Sequence, residues 1–173
     1  MNFIKHLDRY TVRTLTEADI PSVYALCRGN PLYYRHCPPQ VTEDSIRSDM
    51  EALPPGKNRA DKYYLGYFDG NRLAAVMDYI HGFPDGETVF IGFFMVDSAL
   101  QGKEVGSGII RDLCACLQKE GTRAIRLGWV QGNPQAEHFW KKNGFRETGT
   151  VSETAQYTIV LAEKRLDGDI HES

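Results

Sequence analysis

Hydrophobic and polar residues recur with two different periods along this chain, and the changes of period divide it into predicted strands and helices. Short runs that alternate between apolar and polar residues, or that are apolar throughout and bounded by turn residues, are typical of strands. Apolar residues three and four positions apart predict helices. The predicted strands cover residues 10–13, 63–68, 73–80, 88–96, 124–130, 146–150 and 156–162.

The pattern also predicts helices, whose ends carry residues that are common at helix termini. Thr16 and Thr42 are the candidate N-caps of the first two helices. Gly121 and Gly144 follow the last turns of the other two, where a C-terminal glycine is expected. Between the first two helices a Gly-Asn-Pro sequence interrupts the helical pattern, so residues 29–39 are predicted to form an irregular connection.

The order of these elements, β-α-α-β-β-β-α-β-α-β-β, predicts an α/β protein in which helices cover a central sheet. The three consecutive strands in the middle of the chain are joined by short turns, which favour antiparallel pairing. The sequence has no internal repeat, low-complexity tract or long linker. We therefore expect a single domain over residues 1–173.

Charge and cysteine content narrow the classes of function. The formal net charge is −3 and no basic run is interleaved with aromatic residues, so nucleic acid is not an expected partner. The four cysteines form no CxxC pair, which favours reduced thiols and no metal. The polar residues 1–8 and the lack of a run of about 20 apolar residues predict a cytoplasmic protein that does not associate with membranes.

A glycine-rich turn between a predicted strand and a predicted helix is the clearest chemical signal. Gly102, Gly106 and Gly108 allow the backbone to approach a ligand closely, and a helix N-terminus adds partial positive charge. The turn has neither the Gly-Lys-Ser/Thr of a Walker A loop nor the Gly-x-Gly-x-x-Gly of a dinucleotide fold. It predicts a phosphate-binding cradle, although a purely structural turn fits these glycines equally well.

Two separated motifs resemble those of the GNAT superfamily of acyl-CoA-dependent N-acyltransferases. The stretch 101–106, Gln-Gly-Lys-Glu-Val-Gly, is similar to the Gln/Arg-x-x-Gly-x-Gly/Ala loop of that family with one departure. The stretch 133–145 matches the family's Asn-x-x-Ala-x-x-Phe-Tyr-x-x-x-Gly-Phe helix, with Trp140 in place of the tyrosine. Either motif alone is weak evidence, but both occur in order and on the expected elements.

The resemblance implies a mixed, mostly antiparallel sheet of about six or seven strands, splayed at the acyl-CoA site and flanked by about four helices. Acetyl-CoA is the implied co-substrate: backbone N–H groups of the cradle hold its pyrophosphate, and its pantetheine arm pairs with the end of the fourth strand at a bulge. Asn133 is implied to lie near that arm. The implied coenzyme-binding residues are Met95, Val96, Gln101, Gly102, Lys103, Glu104, Val105, Gly106, Ser107, Asn133 and Phe139.

The implied activity is transfer of an acetyl group from acetyl-CoA to a primary amine of a small molecule or peptide, by direct attack in a ternary complex. The family uses a strand amide to stabilise the oxyanion, and by position that amide belongs to Phe94. Many members of the family are dimers, so the resemblance leaves both a monomer and a homodimer open. A protein of this fold that binds coenzyme A without efficient transfer, and an unrelated α/β domain, are the two alternatives.

Three departures from the family pattern favour the first of these alternatives. Glu104 stands where the motif usually has glycine, which puts a carboxylate beside the pyrophosphate unless the side chain points to solvent. We expect the backbone of Glu104 to have an ordinary φ. We also expect Lys103 to offset its charge. Trp140 replaces the tyrosine proposed to protonate the leaving thiolate, and an indole N–H cannot do so. Trp140 therefore fits a core position better. Phe90 stands where the family often has a catalytic glutamate.

The general base is consequently not defined by the resemblance. Asp78 lies within an apolar predicted strand, where an unpaired carboxylate is costly, so we expect it to have a partner or a function. We predict Asp78 to be the base or a substrate anchor, against a purely structural hydrogen bond. Glu87 and His81 flank a hairpin loop and are expected to be solvated.

Residues 33–37, Tyr-Tyr-Arg-His-Cys, and the loop that contains Phe83 and Asp85 are candidates for binding the acceptor. The first group predicts an aromatic pocket with a cationic edge, suited to a carboxylate-bearing or apolar amine. Packing of the helix connection alone explains the same residues equally well.

Overall fold

The computed structural model describes residues 9–167, which form a seven-stranded sheet with five α-helices. The strands are β1 (Thr11–Thr14), β2 (Lys62–Asp69), β3 (Arg72–His81), β4 (Thr88–Val96), β5 (Ala124–Val130), β6 (Arg146–Glu153) and β7 (Thr158–Arg165). The helices are α1 (Ile20–Arg28), α2 (Pro31–His36), α3 (Glu43–Glu51), α4 (Val105–Lys119) and α5 (Pro134–Lys142). Residues 1–8, on which part of the localisation prediction rests, lie outside the described part of the chain.

The strand order in the sheet is β1-β2-β3-β4-β5-β7-β6. Only β4 and β5 pair in parallel, and every other neighbouring pair is antiparallel. The α/β class, the mixed and mostly antiparallel sheet and its splay are thus confirmed. No helix within residues 9–167 has the length and apolar character that a membrane span requires.

The connection predicted for residues 29–39 is the main difference from the expected elements. Pro31 begins helix α2 instead of only ending α1. Proline is well tolerated at the first helical position, because its missing N–H would have no intrahelical acceptor there. A pattern that treats proline as a helix breaker therefore misses a helix that starts at it.

Alternating strand residues build a core on each face of the sheet. Met77 of β3 packs with the apolar face of α4, which includes Ile110. Its neighbour Val76 packs with Val23 of α1 and Ile46 of α3 on the opposite face. Because both faces are covered, the middle strands are apolar almost throughout, as the sequence pattern indicated.

A bulge in β4 and an early end to its pairing with β5 open the sheet. Across from β3, Asp78 pairs with Phe93 whereas Tyr79 pairs with Ile91, so Gly92 is the additional residue. The bulge therefore lies before the position expected at residues 95–96. The β4–β5 pairing covers only residues 88–90 and 124–126, and beyond it the two strands diverge.

Candidate functional site

The free edge of β4 faces this opening. Asp97 N donates to Ala74 O at 2.8 Å, so Asp97 and Ala74 form a hydrogen-bonded pair of the β3–β4 ladder. Along an antiparallel ladder, such pairs alternate with non-hydrogen-bonded pairs. The pairs Phe94–Met77 and Val96–Ala75 are therefore of the non-hydrogen-bonded kind. Consequently, the backbone N–H and C=O groups of Phe94 and Val96 point away from β3 and toward the opening between β4 and β5.

The cradle, residues 101–107, connects β4 to α4. A short 3-10 helix at Ser98–Leu100 precedes it, and Gly102 adopts a φ of +76°, which a residue with a side chain rarely does. The N–H groups in the first turn of any helix have no intrahelical acceptor, and in α4 the side chain of the N-cap residue does not accept from them either. The loop and the helix end thus present backbone donors suited to an anion.

Glu104 has a different backbone conformation from the one expected. Its φ is +63°, the only positive value of a non-glycine residue within 9–167, whereas an ordinary φ was predicted. The side chain is exposed and its Oε1 lies 2.6 Å from Lys142 Nζ on α5. This hydrogen bond lowers the pKa of Glu104. Lys142, rather than the predicted Lys103, therefore offsets the carboxylate.

Gly106 allows α4 to approach α5 closely. A Cβ at this position would lie 3.1 Å from Cε2 of Phe139 and 3.4 Å from Cγ2 of Val96. At Gly108 the nearest atom to such a Cβ would be Arg111 Nη2, at 3.7 Å. The first glycine of α4 thus leaves little room for a side chain, whereas a Cβ at the second would make only an ordinary van der Waals contact.

A buried amide network connects the cradle to α1 and β4. Asn30, between α1 and α2, is only 8% exposed and donates to Val96 O at 3.3 Å and to Leu26 O at 3.0 Å. Gln101 donates to Asn30 Oδ1 and, at 3.0 Å, to the same Val96 carbonyl. Sequence reasoning treated Asn30 only as part of a helix break. The only feature of the sequence that pointed to Asn30 was its position directly before Pro31.

The cradle and α5 enclose a cavity of about 300 Å³, which we call the cradle cavity. Ten of the eleven predicted coenzyme-binding residues line it, together with Phe94, and Lys103 does not. Its residues that sequence reasoning did not select for this site are Asn30, Tyr33, Leu100, Gln135, Ala136, His138, Trp140 and Lys142. No group of three or more His, Cys, Asp or Glu side chains among the described residues could hold a metal ion.

Asn133 and Trp140 hold α5 against the cavity. Asn133 is 4% exposed and caps α5 by accepting a hydrogen bond from Ala136 N at 3.3 Å. Trp140 is buried and packs edge-to-face on Phe139 and Phe145, with ring centroids 4.9 and 5.2 Å apart. These contacts confirm the core position expected for Trp140.

Asp78 is buried and has the partner that its position demanded. Lys62 Nζ of the neighbouring strand β2 lies 3.0 Å from its Oδ1 and 3.1 Å from its Oδ2. Burial raises the pKa of Asp78, and the charge of Lys62 opposes that shift. Lys62 also donates to Ala52 O at the end of α3. This geometry suits a structural ion pair, and the role of Asp78 as base stays a prediction.

A second cavity, of about 220 Å³, occupies the opening between β4 and β5, and we call it the cleft cavity. Tyr33 of α2, Cys37 just after α2, and Tyr157 before β7 line one part of it. A hydrogen bond to the Cys37 side chain, together with burial, raises the pKa of Tyr157 to about 12. Burial also raises the pKa of Tyr33.

The remaining candidates for acceptor binding lie elsewhere. Tyr34 packs in the core beside α1 and α3, and Arg35 and His36 are absent from the described lining of both cavities above. Phe83 packs edge-to-face on Phe90, with centroids 5.8 Å apart. The aromatic pocket is therefore present, but the predicted cationic edge does not line it.

The sequence and the fold place this chain among known proteins. The profile described as Acetyltransferase (GNAT) family matches residues 27–145, which is more than half of the chain. The chain therefore belongs to the GNAT acetyltransferase family, and the acyltransferase class follows from that membership. No curated protein sequence matches it significantly.

Solved structures of N-acetyltransferases share its fold at low identity. An acetyltransferase from Thermus thermophilus is 19% identical, with a TM-score of 0.74 over 92% of this chain and 99% of that one. A Salmonella typhimurium enzyme that modifies the N-terminal serine of ribosomal protein L7/L12 is 16% identical, with a TM-score of 0.76 over 95% and 99%. A Thermoplasma acidophilum PaiA N-acetyltransferase in complex with coenzyme A is 17% identical, with a TM-score of 0.64 over 90% and 98%.

Proposed function

We propose that this protein transfers an acetyl group from acetyl-CoA to a primary amine of a small molecule or peptide by direct attack in a ternary complex. The observation that carries the proposal is the free backbone edge of Phe94 and Val96. It faces the opening between β4 and β5 and adjoins the N-terminus of α4. Family membership and a coenzyme A complex among the structural neighbours support the choice of ligand.

The residues present fit two parts of the coenzyme, the pyrophosphate and the pantetheine arm. The uncapped first turn of α4 and the backbone of the cradle supply N–H donors for a pyrophosphate. The edge of Val96 that no strand pairs carries an N–H and a C=O, which suit the alternating amides of a pantetheine arm as an added strand would. The side-chain amides of Asn30 and Gln101 donate to that carbonyl, so a pantetheine N–H would have to replace one of them there.

Transfer requires a neutral amine, whose nitrogen attacks the thioester carbonyl. The new C–N bond forms, the C–S bond breaks, the amine loses a proton to water or a base, and the departing thiolate takes one up. The N–H of Phe94 points to the place where negative charge develops on the carbonyl oxygen. Trp140 cannot donate a proton to sulfur, so we assign thiolate protonation to solvent.

The decisive experiment measures free thiol release from acetyl-CoA with a panel of primary amines, with propionyl-CoA as the comparison acyl donor. Calorimetry with coenzyme A provides an independent measure of binding. We expect binding and amine-dependent thiol release, faster with acetyl-CoA than with propionyl-CoA. Binding without turnover over the whole panel would instead support a coenzyme-binding protein with little transferase activity.

A further inference from the structure

The cleft cavity adjoins the point at which the acyl group would be transferred. Its walls are residues 91–94 of β4 and 127–130 of β5, which face each other beyond the last β4–β5 pair. It shares part of its lining with the cradle cavity. The residues common to both cavities are Tyr33, Phe94, Asn133, Ala136 and Trp140. An amine in the cleft cavity would therefore meet an acyl group held at Phe94.

The lining of the cleft cavity has nearly equal polar and apolar parts, and it contains no formal charge. Among the described residues, no Asp, Glu, Lys, Arg or His side chain lines it. Its polar side-chain groups are the two phenols, the thiol and one amide. They belong to Tyr33, Tyr157, Cys37 and Asn133. Asn133 is committed to capping α5, so the phenols and the thiol are the polar side chains that can contact a ligand, beside the backbone groups of the diverging strands.

This composition discriminates between amines by their second functional group. A hydrocarbon or aromatic group gains free energy when it leaves water for partly exposed apolar side chains of the lining, such as Phe93, Val130 and Ile159. A second ammonium or a carboxylate loses hydration there and finds no countercharge. The neutral amine itself can donate its N–H to the hydroxyl oxygen of Tyr33 or Tyr157.

We infer that the acceptor is a primary amine attached to an uncharged, apolar group, and that the cleft cavity binds this group. The inference rests on the proposed function and specifies its substrate class. A free monoamine and the N-terminus of a peptide with an apolar first residue share this chemistry. Diamines and amino acids with a free carboxylate are disfavoured.

Three amines of equal chain length test the inference on the unmodified protein. Pentylamine, cadaverine and 5-aminopentanoate differ at the far end, which carries a methyl group, an ammonium or a carboxylate. We expect kcat/KM for pentylamine to exceed both others by roughly tenfold or more, the factor that corresponds to 1.4 kcal/mol. Peptide amides that begin with Leu, Asp or Lys form the second arm and show whether an N-terminus is the source of the amine.

Cys37 allows the charge of the cavity to be changed at one position. Cys37→Asp introduces a carboxylate, which should pair with the far ammonium of cadaverine and raise its kcat/KM relative to pentylamine by roughly tenfold. Cys37→Asn has similar volume without charge and should keep the preference for pentylamine. Thermal unfolding and the Kd of coenzyme A verify that each variant is folded.

The outcomes separate this inference from the proposed function. Turnover of cadaverine or 5-aminopentanoate at rates equal to or above that of pentylamine overturns the inference and leaves the transferase intact. Failure to acetylate any amine in either arm overturns both. A preference for pentylamine that Cys37→Asp does not shift overturns the assignment of the cleft cavity as the binding site of the apolar group.

Discussion

Glu104 and Lys142 connect the cradle to helix α5, with 2.6 Å between Oε1 and Nζ. The contact joins the two motifs that carry the family resemblance. It also keeps the carboxylate of Glu104 turned toward a cation on the surface. The backbone of Glu104 nevertheless adopts the left-handed conformation that the usual glycine of the motif adopts without strain.

Replacement of Glu104 should tighten coenzyme binding. Glu104→Gly removes the negative charge beside the bound polyanion, and we expect the Kd of coenzyme A to fall about fivefold, equivalent to about 1 kcal/mol. Glu104→Gln also removes the charge and should lower the Kd similarly, whereas relief of the positive φ in Glu104→Gly alone should raise the free energy of unfolding. Calorimetry provides the Kd. An unchanged or larger Kd for Glu104→Gly argues against the idea.

Removal of the Phe94 amide proton should slow transfer without weakening coenzyme binding. Phe94→Pro lacks the N–H, and because this group points away from β3 no ladder hydrogen bond is lost with it. We expect kcat to fall about 10²- to 10³-fold, as for the loss of one oxyanion donor. Phe94→Leu controls for the lost ring. A Pro variant that binds coenzyme A normally and retains full kcat contradicts this role for the amide.

Alanine at the two glycines of α4 should have opposite effects on stability. Gly106→Ala places a Cβ 3.1 Å from the ring of Phe139, and such overpacking costs about 1–3 kcal/mol. Gly108→Ala adds only an ordinary van der Waals contact with Arg111 and should stabilise the helix by about 1 kcal/mol. Urea unfolding measures both changes. Equal shifts in the two variants would show that α4 and α5 are not packed as described.

Asp78→Asn distinguishes a structural carboxylate from a catalytic base. The ion pair with Lys62, and a position outside the described lining of the cradle and cleft cavities, favour the structural role. We therefore expect lower stability and an unchanged pH dependence of kcat/KM. A fall in kcat of about 10²-fold or more, with loss of one ionisation from the pH–rate profile, would support the base role instead.

Lys62→Met should destabilise the protein most at neutral pH. The side chain of Lys62 is 7% exposed, and loss of one partner of a buried ion pair costs about 3–5 kcal/mol. The pKa of Asp78 is higher in the folded protein than in the unfolded chain. At pH values between these two pKa values the native state binds more protons than the unfolded state, so the free energy of unfolding falls as pH rises.

Without Lys62 the pKa of Asp78 rises further, so this pH window widens and the loss should shrink toward acid pH. Denaturant unfolding at several pH values measures the effect. Lys119→Met, at an exposed position of α4, is the matched control. A pH-independent loss would show that the charge of Asp78 is not its cause.

Local patterns in the sequence were sufficient to predict most elements and the cradle. The apolar runs of β2 to β4, the N-cap Thr42 and the C-terminal Gly121 are each recognisable from a few neighbouring residues. Helix α2 was missed because Pro31 is compatible both with the end of one helix and with the start of another. The structure decided between these two uses.

The sequence by itself determined the fold class, the family and the position of the cradle, because these depend on periodicity and on two short motifs. Only the tertiary structure decided that Lys142 pairs with Glu104, that Asn30 holds the end of β4, and that Cys37 meets Tyr157 in the cleft cavity. These partners lie far apart in the chain. Their contacts arise from the packing of helices on a splayed sheet, which no local pattern of residues encodes.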